Sequence, residues 1–292
     1  MTTAENAPTP ASAPPPEEVG AMYDQFGEML AMTLGSSAVH VGMLIPPGRH
    51  TPVTDLVGLA DHGQDLLTEY LIDTIELAPG ARLLDVGCGT GGPAVRLAER
   101  SGGRVTGINV SEVQLAECAQ RARAAGLTER LRFAYGNAMD LRYPDASFDA
   151  AWSIDCFPHL SDRPAALREL HRVLRPGSRL LITEFAQRGS PDPEELAAYQ
   201  RLWSSREPTA LSALLADVEQ AGFRTVETWD MTSNIALSGE FMHSVYQDRR
   251  EAMVARYGEA AVAFVDPLIA PFRSYCRDHM DYHLLLLRKP TA

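Results

Sequence analysis

Apolar residues recur at helical spacing over residues 19–34 (Met22, Phe26, Met29, Leu30), and the same period predicts a second helix over 54–75. A Pro/Gly loop at 46–48 lies between them. From Leu83 onward the pattern changes: short apolar runs of strand length alternate with amphipathic stretches. Strands are expected from 83, then at 104–110, 131–135, 148–154, 179–185, 224–230 and 282–288. Helices are expected after Pro93 and at 111–125, 163–174, 209–220, 238–257 and 260–278. Strands alternating with helices imply a parallel α/β sheet with right-handed crossovers and helices on both faces. Residues 187–210 contain Pro191, Pro193 and Pro208 and show no strand pattern. There is no internal repeat.

Composition sharpens the domain boundaries. Residues 1–16 are rich in Pro, Ala and Thr and are expected to form a disordered tail. Residues 17–78 are mostly helical and too few to fold alone, so they are expected to form a helical lid over the remainder, 79–292. A net charge of −12 and a pI near 5.1 argue against nucleic acid as a partner. No apolar run approaches a membrane span, and the start of the chain lacks a signal-peptide layout. Cys88, Cys118, Cys156 and Cys276 have no C-x-x-C spacing, which suggests neither a metal site nor a disulfide framework and points to a cytoplasmic protein. The amphipathic first helix could pack on a second subunit as readily as on its own sheet, so a homo-oligomer through the N-terminal helices is a further expectation.

The chemistry concentrates at 83–95, Leu-Leu-Asp-Val-Gly-Cys-Gly-Thr-Gly-Gly-Pro-Ala-Val. An apolar strand runs into glycines at 87, 89, 91 and 92, and Pro93 suits the first turn of a helix. The spacing is G-x-G-x-G rather than the dinucleotide G-x-G-x-x-G, which disfavours an NAD(P) oxidoreductase. Asp85 at the strand end can orient an ammonium, and Gly87, Cys88, Gly89 and Gly91 can admit a ligand against bare backbone. This stretch resembles the first motif of class I S-adenosylmethionine (SAM)-dependent methyltransferases, which implies a Rossmann-like seven-stranded sheet and SAM as cofactor.

In an open α/β sheet the ligand lies outside the carboxyl ends of the strands. After the second strand, Asn109 and Val110 stand where such enzymes hold the ribose. Gln114 is a further ribose contact or, with Ser111, half of a capping box. After the third strand, Asn137-Ala138 stands where the family often has Asp-Ala, and Asn137 can accept from the adenine amino group through its carbonyl oxygen. After the fourth strand come Asp155 and His159, both able to act as a general base, and Asp155 also belongs to the cofactor side. His159 has the more suitable ordinary pKa. Glu184 ends the fifth strand as a third catalytic candidate; with Asp155 it is expected to orient the reacting groups around His159.

Residues 105–181 look like the type 11 group of these enzymes, close to the sugar O-methyltransferases of antibiotic pathways. The resemblance rests on Asn137-Ala-Met-Asp-Leu, Asp145-Ala-Ser-Phe-Asp149 and the run from Ala166 to Gly177. Met22-Tyr23-Asp24 and His40-Val-Gly42 resemble a pattern shared with tocopherol and sterol C-methyltransferases, which implies cofactor contacts for Tyr23 and His40. The sugar enzymes often carry two adjacent histidines after the fourth strand; here Pro158 takes the first place. Where the tocopherol-like pattern has an aromatic pair after His-x-Gly, Met43 and Leu44 follow. The family's last strand usually runs antiparallel, preceded by a helical insertion that shapes the acceptor site. Here that insertion spans about 238–278 and offers Phe241, Met242, His243, Tyr246 and Phe264. The implied reaction is methyl transfer to a small, largely apolar secondary metabolite, at oxygen by family frequency. C-methylation of an indole or prenyl-type acceptor stays open, as does a SAM-binding scaffold without catalysis.

Overall fold

Successive residues of the first strand bury on opposite sides, and the whole architecture follows from that alternation. Leu83 belongs to one hydrophobic cluster, Leu84 and Val86 to another. The computed structural model describes residues 14–34, 38, 40–44 and 56–291. Among them the strands β1 (Arg82–Val86), β2 (Arg104–Asn109), β3 (Leu131–Tyr135), β4 (Phe148–Ser153), β5 (Leu174–Gln187), β6 (Arg224–Asp230) and β7 (Met280–Arg288) form one sheet. Its order is β3-β2-β1-β4-β5-β7-β6. The first five strands pair in parallel, and β7 lies antiparallel between β5 and β6.

One face is covered by α5 (Arg163–Val173) and α7 (Leu211–Gln220) through Leu167, Leu170, Leu214 and Val218. The other carries α2 (Leu56–Ile75), α3 (Gly92–Ser101) and α4 (Glu112–Ala124), with α6 (Pro193–Trp203), α8 (Thr232–Tyr257) and α9 (Glu259–Asp278). The expected sheet and the insertion before the last strand are both present.

Four boundaries differ from expectation. Helix α6 occupies the stretch read as patternless: Asp192 caps it, Glu195 reaches back to close a capping box, and Pro193 sits in the first turn. Its prolines start a helix rather than break one. The insertion begins at Thr232 rather than at 238. Strand β5 starts at Leu174, passing through Gly177 in the left-handed region, where a turn was expected. The expected tail falls largely outside the described residues, as does the loop at 46–48, and its last residue, Pro16, already begins α1 (Pro16–Leu34).

Helix α1 is seated on the carboxyl edge of the sheet by two close contacts. Asp24 accepts from the Ser111 hydroxyl and from Val113 N at the start of α4. Gly20 lets the helix approach the strand end: a Cβ there would sit 2.3 Å from the Val110 carbonyl oxygen. Gly→Ala normally favours a helix by about 1 kcal/mol. At Gly20 the clash dominates, so Gly20→Ala is expected to lower thermal stability and to speed amide exchange over 16–34, with exchange over β1 unchanged. Protection of α1 equal to or above wild type would sink this reading.

Candidate active site

The turn after β1 is shaped by glycine at two decisive places. Gly87 has φ +73°, and a Cβ on it would lie 2.5 Å from Cys156 Sγ, so only a bare backbone lets the β1 and β4 loops meet. Gly89 has φ +53° and open space where a Cβ would project. Gly87 N and Cys88 N both donate to the Ile108 carbonyl, tying the turn to β2. Cys88 and Cys118 pack beneath it, and the Cys118 thiol donates to the Gly89 carbonyl. All four cysteines are free thiols.

Beside this turn a cavity enclosing about 720 Å³, part of it open to solvent, is lined by Gly87, Gly89, Asn109, Val110, Gln114, Asn137, Ala138 and Cys156. Tyr23, Asp155 and His159 close its far end. The structure thus brings most of the expected cofactor residues to one wall. Two of them work differently from expectation. Asn109 Oδ1 accepts from Val110 N and its amide donates to Gly89 O and Gln114 Oε1, so it braces the two loops. Gln114 N is capped by the Ser111 hydroxyl, but the Gln114 side chain turns to Asn109 rather than completing a capping box. Asn137 Oδ1 accepts from Met139 N, a turn contact that still leaves one lone pair for a ligand.

A smaller recess opens at the glycine turn between Asp85, Thr90 and His40. Among the described residues, Asp85 is buried with Oδ2 unpaired, and Thr90 Oγ1 is buried and unpaired as well. Burial raises the Asp85 pKa to about 7. His40 hydrogen-bonds the Val41 carbonyl through Nδ1 at 2.8 Å, and burial lowers its pKa.

Tyr23, Asp155 and His159 also line a second cavity of about 590 Å³, so the two spaces meet at these three side chains. The Tyr23 hydroxyl lies 3.1 Å from His159 Nε2, and His159 Nδ1 lies 3.4 Å from the Ser204 carbonyl. With Nδ1–H directed at Ser204, Nε2 is the accepting nitrogen and Tyr23 donates to it. Burial pushes the His159 pKa down to about 4, so the ring is neutral across the physiological range. Burial raises the Tyr23 pKa.

The two expected orienting carboxylates are committed elsewhere. Asp155 Oδ2 accepts from Val41 N at 2.8 Å, and Oδ1 accepts from the Thr183 and Tyr282 hydroxyls at 2.5 and 2.9 Å. Its backbone is left-handed, φ +52°. Glu184 lines neither cavity; it accepts from Phe185 N and lies 3.6 Å from the Arg206 guanidinium behind the wall. Burial raises its pKa to about 7, opposed by Arg206 and Arg163. His159 Nε2 faces both spaces with the Tyr23 hydroxyl as its neighbour.

The second cavity is walled by Phe185, Tyr199, Trp203, Ile235, Met242, Phe272 and Met280. Of the insertion residues named from sequence, Met242 lines it, while Tyr246 and Phe264 line an outer groove against α1. Phe241 and His243 line neither. Tyr199, Trp203 and Ser205 were missed with α6; the Asp-Pro-x-Glu run at 192–195 is the signal that would have revealed the helix.

These features fit SAM. The unpaired Asp85 oxygen offers an acceptor to an ammonium, the space over Gly89 admits an amino acid chain, and Asn137 and Gln114 border the larger cavity. A family model described as a methyltransferase domain matches residues 84–182. The chain is 36% identical over 229 residues to O-methyltransferase rstn1 of Aspergillus nomiae, covering 78% of this chain and 98% of that protein. It is 32% identical to the 27-O-demethylrifamycin SV methyltransferase of Amycolatopsis mediterranei, covering 95% and 98%. The crystal structure of the (4+2)-cyclase SpnF superposes with a TM-score of 0.81 at 32% identity, covering 97% of this chain and 99% of that one. With relatives matched from end to end at this identity, the chain belongs to the small-molecule methyltransferases and is an enzyme that uses S-adenosylmethionine.

Proposed function

We propose that this enzyme methylates a hydroxyl oxygen of a small, largely apolar natural product. The observation that carries the reading is the contact of Tyr23 with His159 Nε2 where the two cavities meet. Bound SAM supplies an activated methyl group on its sulfonium. The chain's own work is then orientation and proton removal, and orientation accounts for most of the rate. An acceptor hydroxyl that replaces the Tyr23 hydroxyl donates to Nε2, which takes its proton as the oxygen gains the methyl. Ser204 O holds the other ring nitrogen and keeps Nε2 unprotonated. The Asp155 carboxylate already accepts from three donors, which favours this route over carbon methylation driven by a free carboxylate. The names of the O-methyltransferase relatives agree with it.

Helix α1 acts as the lid in this scheme. Tyr23 touches the base and Asp24 holds the start of α4 beside Gln114, so one helix closes both cavities.

A second reading rests on the likeness to the (4+2)-cyclase: SAM bound as a fixed part of the wall, with an apolar polyene cyclised beside it. Transfer from methyl-labelled SAM separates the two. Label on an oxygen of a phenol or hydroxylated terpenoid supports the proposal. Label on carbon in an indole or prenyl pool overturns it, and an isomerised polyene of unchanged mass favours cyclisation.

His159→Ala is expected to lower kcat about a hundredfold or more while S-adenosylhomocysteine binds as before. Because His159 titrates near pH 4, wild-type kcat should stay flat from about pH 6 to 9. A kcat that follows a group near pH 7 would remove His159 from this role.

Cofactor affinity should behave oppositely. Asp85 carries a proton below about pH 7 in the free enzyme, and an ammonium partner needs it ionised. Affinity for S-adenosylhomocysteine is therefore expected to fall as pH drops through 7, by up to about tenfold per unit. Asp85→Asn should bind more weakly at pH 8 and lose the slope. Calorimetry at several pH values checks this, and a slope retained in the variant would refute the assignment.

A further inference from the structure

Two hydroxyls in the wall of the second cavity, with an ion pair behind them, form a buried polar cluster. Tyr199 Oη, Ser205 Oγ, Glu184 Oε2 and Arg206 Nε are all buried, and each lacks a hydrogen-bond partner among the described residues. Tyr199 and Ser205 form part of the cavity wall, and Glu184 with Arg206 lies directly behind them. Buried polar groups in folded proteins are nearly always paired. Tyr199 Oη and Ser205 Oγ, neighbours in the wall, therefore point to one shared partner, while Glu184 is already held by the Arg206 guanidinium at 3.6 Å.

The aromatic packing makes Tyr199 informative. Its ring lies 5.3 Å from Tyr275 and 6.5 Å from Phe185, centroid to centroid. A phenylalanine would satisfy those contacts equally. The hydroxyl is thus an addition that the packing does not require, buried where it costs stability unless something pairs with it.

We propose that this cluster binds a second hydroxyl of the acceptor, distinct from the one that is methylated, so that the substrate is a polyhydroxylated but otherwise apolar molecule. The inference rests on the second cavity being the acceptor site, as proposed above. A hydroxyl matches the cluster because it both donates and accepts. It can give its proton to Ser205 Oγ and accept from Tyr199 Oη, the two hydroxyls in the cavity wall. Ser205 follows Ser204, whose carbonyl faces His159 Nδ1, so a hydroxyl held by this pair can set which oxygen reaches His159. A site built to pair a substrate hydroxyl discriminates strongly against an analogue that lacks it.

The probes are naphthol and the isomeric dihydroxynaphthalenes, titrated by calorimetry into the full chain with S-adenosylhomocysteine present. The wild type is expected to bind at least one diol about tenfold more tightly than naphthol. Tyr199→Phe and Ser205→Ala should each erase most of that gain while leaving naphthol within about twofold. Retained S-adenosylhomocysteine binding shows that the variants are folded. Equal binding of diols and naphthol overturns the proposal, because the cluster then holds a buried water only. A diol preference that survives in both variants overturns it too, as does the absence of binding by every probe. Methyl transfer is read separately: diol discrimination without transfer would count against the proposed reaction and leave the recognition site standing.

Discussion

The carboxylate of Asp155 ties the segment after α1 to the two paired strands β5 and β7. Its oxygens accept from Val41 N in the segment after α1, from Thr183 on β5 and from Tyr282 on β7. These partners lie 114, 28 and 127 residues away in sequence. The left-handed backbone at Asp155 turns the chain from β4 into the short helical turn at Phe157–His159. The position of His159 follows from that turn, and the same carboxylate holds the segment after α1 beside it. A half-buried carboxylate is costly unless its oxygens are paired, and here three donors pair with them.

This explains which parts of the site were legible in the sequence. The strand–glycine turn–helix unit was readable because its demands are local: Gly87 and Gly89 need positive φ, and Pro93 needs a first turn. The sheet was readable from its apolar period. The roles of Asp155 and Glu184 were not, since both are acidic residues after strands and nothing nearby in sequence tells which donors will converge on them. Asp155 became the anchor because β7 is threaded next to β5 and presents Tyr282. Glu184 turned toward Arg206, whose loop follows a helix that the prolines at 191 and 193 disguised. Asn109 shows the same limit: its amide was free to reach a ribose until the fold brought Gly89 and Gln114 against it.

Electrostatics divides the labour between the two cavities. Burial moves Asp85 and Glu184 upward to about 7 and His159 downward to about 4, each toward its neutral form. A neutral His159 is ready to accept a proton. The Asp85 carboxyl, raised to about 7, is poised between its neutral and charged forms near neutral pH.

The antiparallel placement of β7 has a consequence for how such a protein can change over time. Because β6 and β7 are neighbours, both ends of the α8–α9 insertion leave the sheet side by side. The insertion is clipped onto adjacent strands, and its helices share one apolar cluster with Leu83, Val105 and Trp152 of the sheet. The two cavities share only Tyr23, Asp155 and His159 among their described lining residues. A change of side chain elsewhere in the wall of the second cavity therefore leaves the lining beside the glycine turn as it is.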